Sequence, residues 1–419
     1  MVILNGVEKE KISFEFINNL IIIPVTINNT PLNFIFDTGA AKTIIFSLTD
    51  SDSLSLNNTK KVELRGLGLG EPIEAVLSEN NEIEIGKNIF GNNQSLFLVF
   101  DEELDLSSRM GKTIHGIIGF EFIKNFRINI DFNSKILTVS KPESAILQNL
   151  KKFKTIPLSF YQNKPYIDCE LTVYEGINTI EKMLIDTGNS DDLWIFEDYK
   201  KGIVTPVPFF DDFLGEGLSG SIDGKRAKIK RLKFADFELK EPVAAFLDTT
   251  STIYAKIFEQ RNGSLGNGIL SKFKVILDYP NQKMYLKKNR SFPKEFNYNR
   301  AGIELAYFGK TLVKSEKINT DVDPKSNDQA NYSINFILDY EFLFKPIYGI
   351  SRIRKNSPAD LTGLKVNDVL YKINGKRAYE FKMGELIDLF YERRDDLLKI
   401  QVERKGMLYY YEIKMVDLL

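Results

Sequence analysis

Short apolar runs alternate along the chain with clusters of Gly, Asn and Asp, a rhythm that predicts strands joined by tight turns. Lys61-Val62-Glu63-Leu64-Arg65 and Asn81-Glu82-Ile83-Glu84-Ile85 place an apolar side chain at every second position. That is the spacing of a strand with one buried face. Leu20 to Val25 is continuously apolar but strand-sized, far short of a membrane-crossing helix. Phe381 to Tyr391 differs: Leu386, Ile387, Leu389 and Phe390 fall at positions compatible with one face of a helix. The expected fold class is mostly β.

The pattern repeats once. Phe34-Ile35-Phe36-Asp37-Thr38-Gly39-Ala40 aligns with Met183-Leu184-Ile185-Asp186-Thr187-Gly188-Asn189. Each triplet follows an apolar run and precedes another, Ile44 to Phe46 and Leu193 to Phe196. Further on, Gly116-Ile117-Ile118-Gly119 corresponds to Gly263-Ser264-Leu265-Gly266, and Phe126 to Phe132 corresponds to Phe273 to Tyr279. Asp37 lies 82 positions before Gly119, and Asp186 lies 80 before Gly266. Two segments with the same landmarks in the same order predict two related β-rich lobes. Lys, Pro and Asn collect near residues 141–155 and 288–300 and mark soft boundaries. The expected division is 1–142, 143–292 and 293–419.

Composition narrows the chemistry. The 419 residues carry 56 basic and 57 acidic side chains, a net charge of -1. No global charge directs the chain to nucleic acid or to an anionic membrane. One cysteine, Cys169, allows no intrachain disulfide, and one histidine, His115, leaves too few ligands for a Cys/His zinc site. No metal and no cofactor is expected. Cys169 and Trp194 read as core residues, the latter also as a cleft wall, and His115 as a structural or surface residue. Catalysis, if present, falls to carboxylates.

A single Asp-Thr-Gly turn is an ordinary turn composition. Two of them placed by a pseudo-twofold repeat can bring two carboxyl groups together. Like charges that close do not both ionise easily, so the pair holds one proton over a broad pH range. The ionised member takes a proton from water while the protonated member polarises a peptide carbonyl. The pair titrates as a unit, so neither aspartate receives a fixed role.

On these residues the chain resembles the aspartic peptidases, pepsin-like and retropepsin-like, across about residues 15–290. The resemblance implies two lobes forming a cleft, with Asp37 and Asp186 as the catalytic pair. It implies that Thr38 and Thr187 interlock between the lobes and that Gly39 and Gly188 bring backbone amides to the carboxylates. Gly119 and Gly266 close the apolar elements that cross behind the triplets. Ala40 stands where pepsin-like enzymes carry a hydroxyl residue. Loss of that donor to the charged form raises the carboxylate pKa, so an optimum in mild acid or near neutrality is expected. Candidates for the covering flap are Gly66 and Gly68 in one lobe and Gly217 in the other, where glycines suit a mobile hairpin.

From about residue 301 the character changes. Ser357-Pro358-Ala359, Thr362-Gly363-Leu364, Asn367-Asp368 and Ile373-Asn374-Gly375 together resemble the bacterial PDZ signature. The resemblance implies a small β-barrel with helices that takes a peptide C-terminus as an added strand. Two stretches are candidates for the peptide-binding loop, Ala301 to Leu305 and Ile347 to Ile350, and Tyr348, Gly349 and Ile350 are the residues selected. The polar stretch Lys310 to Ser333 reads as an insertion or mobile loop, part of an insertion around 306–345.

The combined expectation is an aspartic endopeptidase whose partners are a peptide or protein substrate and a peptide C-terminus at the PDZ-like part. The part recruits substrates or regulates access. No nucleic acid and no transmembrane segment is expected, and one chain suffices for the active site. By resemblance to bacterial proteins of this arrangement the cell envelope is favoured, periplasmic or secreted. Met1 opens no signal-peptide pattern, and a leader already removed is compatible with that. The alternative is a non-catalytic peptide-binding or scaffold protein.

Overall fold

Asparagine turns set the register of the first lobe. Asn28 and Asn29 both take positive φ, 47° and 68°, and join Leu20–Ile27 to Thr30–Phe36 as an antiparallel hairpin with Ile22 opposite Ile35. Two-residue turns of this hand match the twist of the flanking strands. A computed structural model describes residues 1–419 apart from 50–51, 65–72, 100–105, 145–149, 218–219, 248–251, 253–254, 323–333 and 392–396.

The second lobe repeats the plan. Lys164–Thr172 pairs with Asn178–Ile185, and Tyr166 lies opposite Leu184. In each lobe the strand leading into the triplet also pairs in parallel with the strand before the later glycine. Phe34 to Phe36 lie beside Gly116 to Ile118, and Met183 to Ile185 lie beside Gly263 to Leu265. Each triplet therefore emerges from a strand bonded on both sides. Both faces of these strands are buried, Phe34, Phe36, Met183 and Ile185 on one and Ile35 and Leu184 on the other.

A further sheet joins the lobes. Its order is Lys154–Pro157, Lys283–Lys288, Phe273–Asp278, Arg127–Asp131, Ile136–Ser140, Lys9–Ser13. The two central strands are the matching segments of the repeat, and they run antiparallel with Asn129 opposite Ile276. Arg127 Nε donates to Asp278 Oδ2 at 2.7 Å, and Lys274 pairs with Asp131 at 2.8 Å. One hydrophobic cluster runs through both lobes and this sheet, including Phe122, Ile128, Leu137, Phe273 and Leu277.

Residues 303–414 form a separate sheet with its own core of Ile303, Ile350, Leu386, Phe390 and Val402. Its helix, Met383–Tyr391, buries Met383, Leu386 and Phe390, one stripe at helical spacing. A short helix, Pro358–Leu361, begins with Pro at its first turn and is capped by the Ser357 hydroxyl, which accepts from Asp360 N. Within Lys310 to Ser333, expected as an insertion or mobile loop, the residues up to Val322 are strand. Ile303–Val322 and Ile334–Ile353 form one antiparallel ribbon, from Ile303 opposite Ile353 to Val322 opposite Ile334, with 323–333 outside the described residues. A two-stranded ribbon pairs its inward backbone groups between the strands and leaves the outward ones to water, so it needs no buried face and a polar sequence does not betray it.

The module is fastened to the lobes at both ends. The Tyr298 hydroxyl donates to Asp417 at 2.7 Å and accepts from the backbone of Leu418 and Leu419. Tyr298, Leu418 and Leu419 pack on the cluster shared by the lobes. No helix among the described residues is long and apolar enough to cross a membrane.

Candidate active site

Each aspartate is positioned by backbone first. Asp37 N donates to Ile118 O at 2.9 Å, and Asp186 N donates to Leu265 O at 3.0 Å. Gly39 N then donates to Asp37 Oδ1 at 2.7 Å, and Gly188 N to Asp186 Oδ1 at 3.2 Å. Only glycine tolerates the approach of the opposite carboxyl. A Cβ on Gly39 would lie 2.8 Å from Asp186 Oδ1, and one on Gly188 would overlap the Asp37 carboxyl group. Gly119 and Gly266 are similarly pressed against the triplet loops, against Ala40 O and Asp37 O in one lobe and Asn189 O and Asp191 O in the other.

The threonines bind the lobes together. Thr38 N donates to Thr187 Oγ1 and Thr187 N to Thr38 Oγ1, both at 3.0 Å. Each hydroxyl donates onward across the interface, Thr38 to Ile185 O at 2.6 Å and Thr187 to Phe36 O at 2.8 Å. Both side chains are buried, so all four bonds are shielded from water.

The two carboxyl groups are neighbours: the same Cβ on Gly39 that would meet Asp186 Oδ1 at 2.8 Å would meet Asp37 Oδ1 at 3.1 Å. Burial, then the neighbouring Asp186 charge, pushes the Asp37 carboxyl up to about 7. Burial raises Asp186 as well, opposed by the Arg261 guanidinium and the Lys164 ammonium. One proton held between two adjacent, half-buried carboxyls leaves one acid to polarise a carbonyl and one base to accept a proton from water. The pair opens into a cavity of about 2060 Å³.

Comparison with known proteins fits this geometry. Residues 23–122 match the family model described as aspartyl protease, and residues 349–404 match the model of the PDZ domain. The matches thus describe an aspartyl protease-like region in the first lobe and a PDZ region near the C-terminus. Among solved structures, the aspartic proteinase from Irpex lacteus is similar at 14% identity, over 68% of this chain and 99% of that one, with a TM-score of 0.43. At that score the likeness carries no weight of its own. No curated protein matches.

The PDZ domain corrects the peptide-binding residues selected from sequence. Tyr348, Gly349 and Ile350 lie inside the sheet, in a strand bonded on both sides. Gly349 sits between Ala306 and Val369, and Ile350 N donates to Asp368 O at 2.9 Å. Their backbones are engaged, and Tyr348 and Ile350 are buried. Among the described residues, the strand starting at Ile303 pairs on one side only and packs near the helix Met383–Tyr391. Ile303, Glu304, Leu305, Met383 and Ile387 line the same cavity as Asp37 and Asp186.

Gly217 also lines that cavity, in the hairpin of Phe209–Gly217 and Gly220–Lys228. Gly66 and Gly68 lie outside the described residues, between the paired strands Lys60–Leu64 and Ile73–Ile85. The second-lobe hairpin docks on the PDZ domain. Arg352 lies over the Phe213 ring at 3.8 Å and Arg354 over Phe210 at 4.0 Å. Arg226 links Asp212 of this hairpin, at 2.5 Å, to Asp191 beside the second triplet, at 2.8 Å. His115 is structural: its Nδ1 accepts from Asn33 N at 2.9 Å and its Nε2 reaches Asp52 at 3.2 Å. Cys169 and Trp194 are buried, and the indole N–H donates to Asp191 at 2.7 Å.

Several site residues escaped the sequence reading. Asn267 Nδ2 donates to Thr187 O at 2.7 Å and to Asn19 O at 2.6 Å, tying the second triplet to a first-lobe turn. Lys164 and Arg261 face the cavity near the dyad. Their only signal was a lapse in the repeat, where charged residues stand in place of apolar ones.

Proposed function

We propose that this chain is an aspartic endopeptidase in which Asp37 and Asp186 activate water between them. The observation that carries the reading is the adjacent, half-buried Asp37 and Asp186 carboxyl pair, held by the reciprocal Thr38 and Thr187 bonds. Water attacks the peptide carbonyl, its proton passing to the ionised carboxylate while the protonated one hydrogen-bonds the carbonyl oxygen. No covalent intermediate forms. The functional units on this reading are the lobes 1–142 and 143–292, which share one cleft, and the PDZ part 293–419.

The PDZ domain recruits peptide or regulates access to the cleft. This is supported by its edge strand and helix lining the cavity of the dyad, and by the Arg352 and Arg354 contacts with the second-lobe hairpin. The test is cleavage of a denatured mixed-protein substrate from about pH 3 to 8 by wild type, Asp37→Asn and Asp186→Asn. Cleavage abolished by either substitution supports the dyad. Cleavage surviving in both variants, or none by folded wild type at any pH, sinks the peptidase reading.

A further inference from the structure

The two halves of the cleft match in backbone but differ in charge at two related positions. In the first lobe, Asn18 and Asn19 form a left-handed two-residue turn, and Ile17 pairs with Leu20. In the second, Gln162 and Asn163 form the same turn, and Tyr161 pairs with Lys164. Two residues further on, Ile22 faces Ile35 and Tyr166 faces Leu184, each partner standing two places before its aspartate. Lys164 is therefore the counterpart of Leu20. The second difference lies behind the triplets. Gly116 and Gly263 pair with equivalent residues, Phe34 and Met183, and two places before them stand Ile114 and Arg261. Where the first lobe has two buried apolar side chains, the second has two cations.

Both cations line the cavity of the dyad. Arg261 is 3% exposed, its Nη2 donating to Ser264 Oγ at 2.8 Å and its guanidinium 5.3 Å from the Phe196 ring. Lys164 is half-buried, and among the described residues its ammonium makes no ion pair or hydrogen bond. The charges acting on it are those of Arg261, Asp186 and Asp37. Withdrawing an ammonium from water without a partner is unfavourable, and a second cation beside it adds repulsion. An apolar residue at the same backbone position serves the first lobe, so the fold does not require a cation there. A ligand that supplies negative charge when the cleft is filled relieves both costs.

We infer that Lys164, backed by Arg261, forms an anionic subsite that receives a carboxylate of the bound peptide next to the scissile bond. This rests on the peptidase reading and adds substrate class to it. Lys164 supplies the hydrogen-bonding head group. Arg261, held by Ser264 and Phe196, supplies fixed positive charge behind it. The carboxylate belongs either to an acidic side chain or to the free C-terminus of a short peptide.

The test is digestion of a proteome-derived peptide library, in free-acid and C-terminally amidated forms, with cut sites read by mass spectrometry. The enzymes are wild type, Lys164→Leu (the first-lobe residue), Lys164→Gln and Lys164→Arg. Wild type should favour Asp or Glu over Asn or Gln at one position flanking the cut by about tenfold, the scale of one charge-assisted hydrogen bond. Lys164→Leu and Lys164→Gln should bring that ratio near one, and Lys164→Arg should keep most of it. An enrichment indifferent to amidation assigns an acidic side chain. Cuts at a fixed distance from the end, lost on amidation, assign the terminal carboxylate. Absence of acidic preference in either form, or a preference unaltered in Lys164→Leu, overturns the subsite. If wild type cuts nothing, the peptidase reading has failed, and the subsite is judged by retention of the same library on immobilised protein. Selective retention of acidic peptides that Lys164→Leu loses supports it, and unselective retention or none overturns it.

Discussion

Replacing Thr187 by Val tests whether the two lobes depend on the threonine interlock. The Thr187 side chain is 1% exposed, and its hydroxyl accepts from Thr38 N at 3.0 Å and donates to Phe36 O at 2.8 Å. Val has nearly the same shape but leaves both partners unsatisfied in a dry interface. Each such group costs about 1–3 kcal/mol, so the pair amounts to roughly 2–6 kcal/mol. Thr187→Ser is the control. It keeps the hydroxyl and loses one methyl group, about 1 kcal/mol. Trp194, the sole tryptophan, is buried close to the second triplet and reports the unfolding of this lobe by fluorescence in urea. The Val variant should unfold at clearly lower urea than the Ser variant, and Ser slightly below wild type. Equal midpoints for Val and Ser, or Val at the wild-type midpoint, would refute the reasoning. Because the chain has several units, the comparison is confined to the Trp194 transition.

Two further outcomes follow from the dyad. Asp37 is raised to about 7 from an ordinary carboxyl value of 3.8, so the folded state holds a proton that the unfolded chain releases between those values. That contribution to stability is fully present below the unfolded value and is lost as pH rises through about 7. Thermal melts should therefore fall in Tm from mild acid to pH 8, less so in Asp37→Asn, and cleavage should decline over the same alkaline limb. An unchanged Tm profile in Asp37→Asn would count against a raised Asp37. Gly188→Ala places a methyl group on the Asp37 carboxyl. Displacement of a reacting group on that scale costs on the order of 10²-fold in rate, so kcat/KM should fall at least that far while the circular dichroism spectrum is retained. Near-normal kcat/KM in this variant would show that the carboxyl has room to move.

The repeated triplets, and with them Asp37, Asp186 and the paired threonines, were legible in the sequence because local order carries them. A turn after an apolar strand recurs at matching spacing, and duplication turns a common tripeptide into a paired feature. The mostly β character was legible for a similar reason, since a period of two reflects burial of one face. The PDZ domain was legible from short motifs, but its free edge was not. Tyr348 to Ile350 look like any apolar strand, and whether a strand lies inside a sheet or at its rim depends on partners distant in the chain. The polar ribbon after Ile303 was missed because its backbone pairing asks nothing of its side chains. The Lys164 and Arg261 pair was hidden for another reason. Each is an unremarked cation in a charged chain until strand register equates Lys164 with Leu20 and the folded lobes turn both cations toward the dyad. Sequence alone determined which groups recur. Tertiary structure decided which of them meet, because proximity across two lobes is set by sheet register and interface packing.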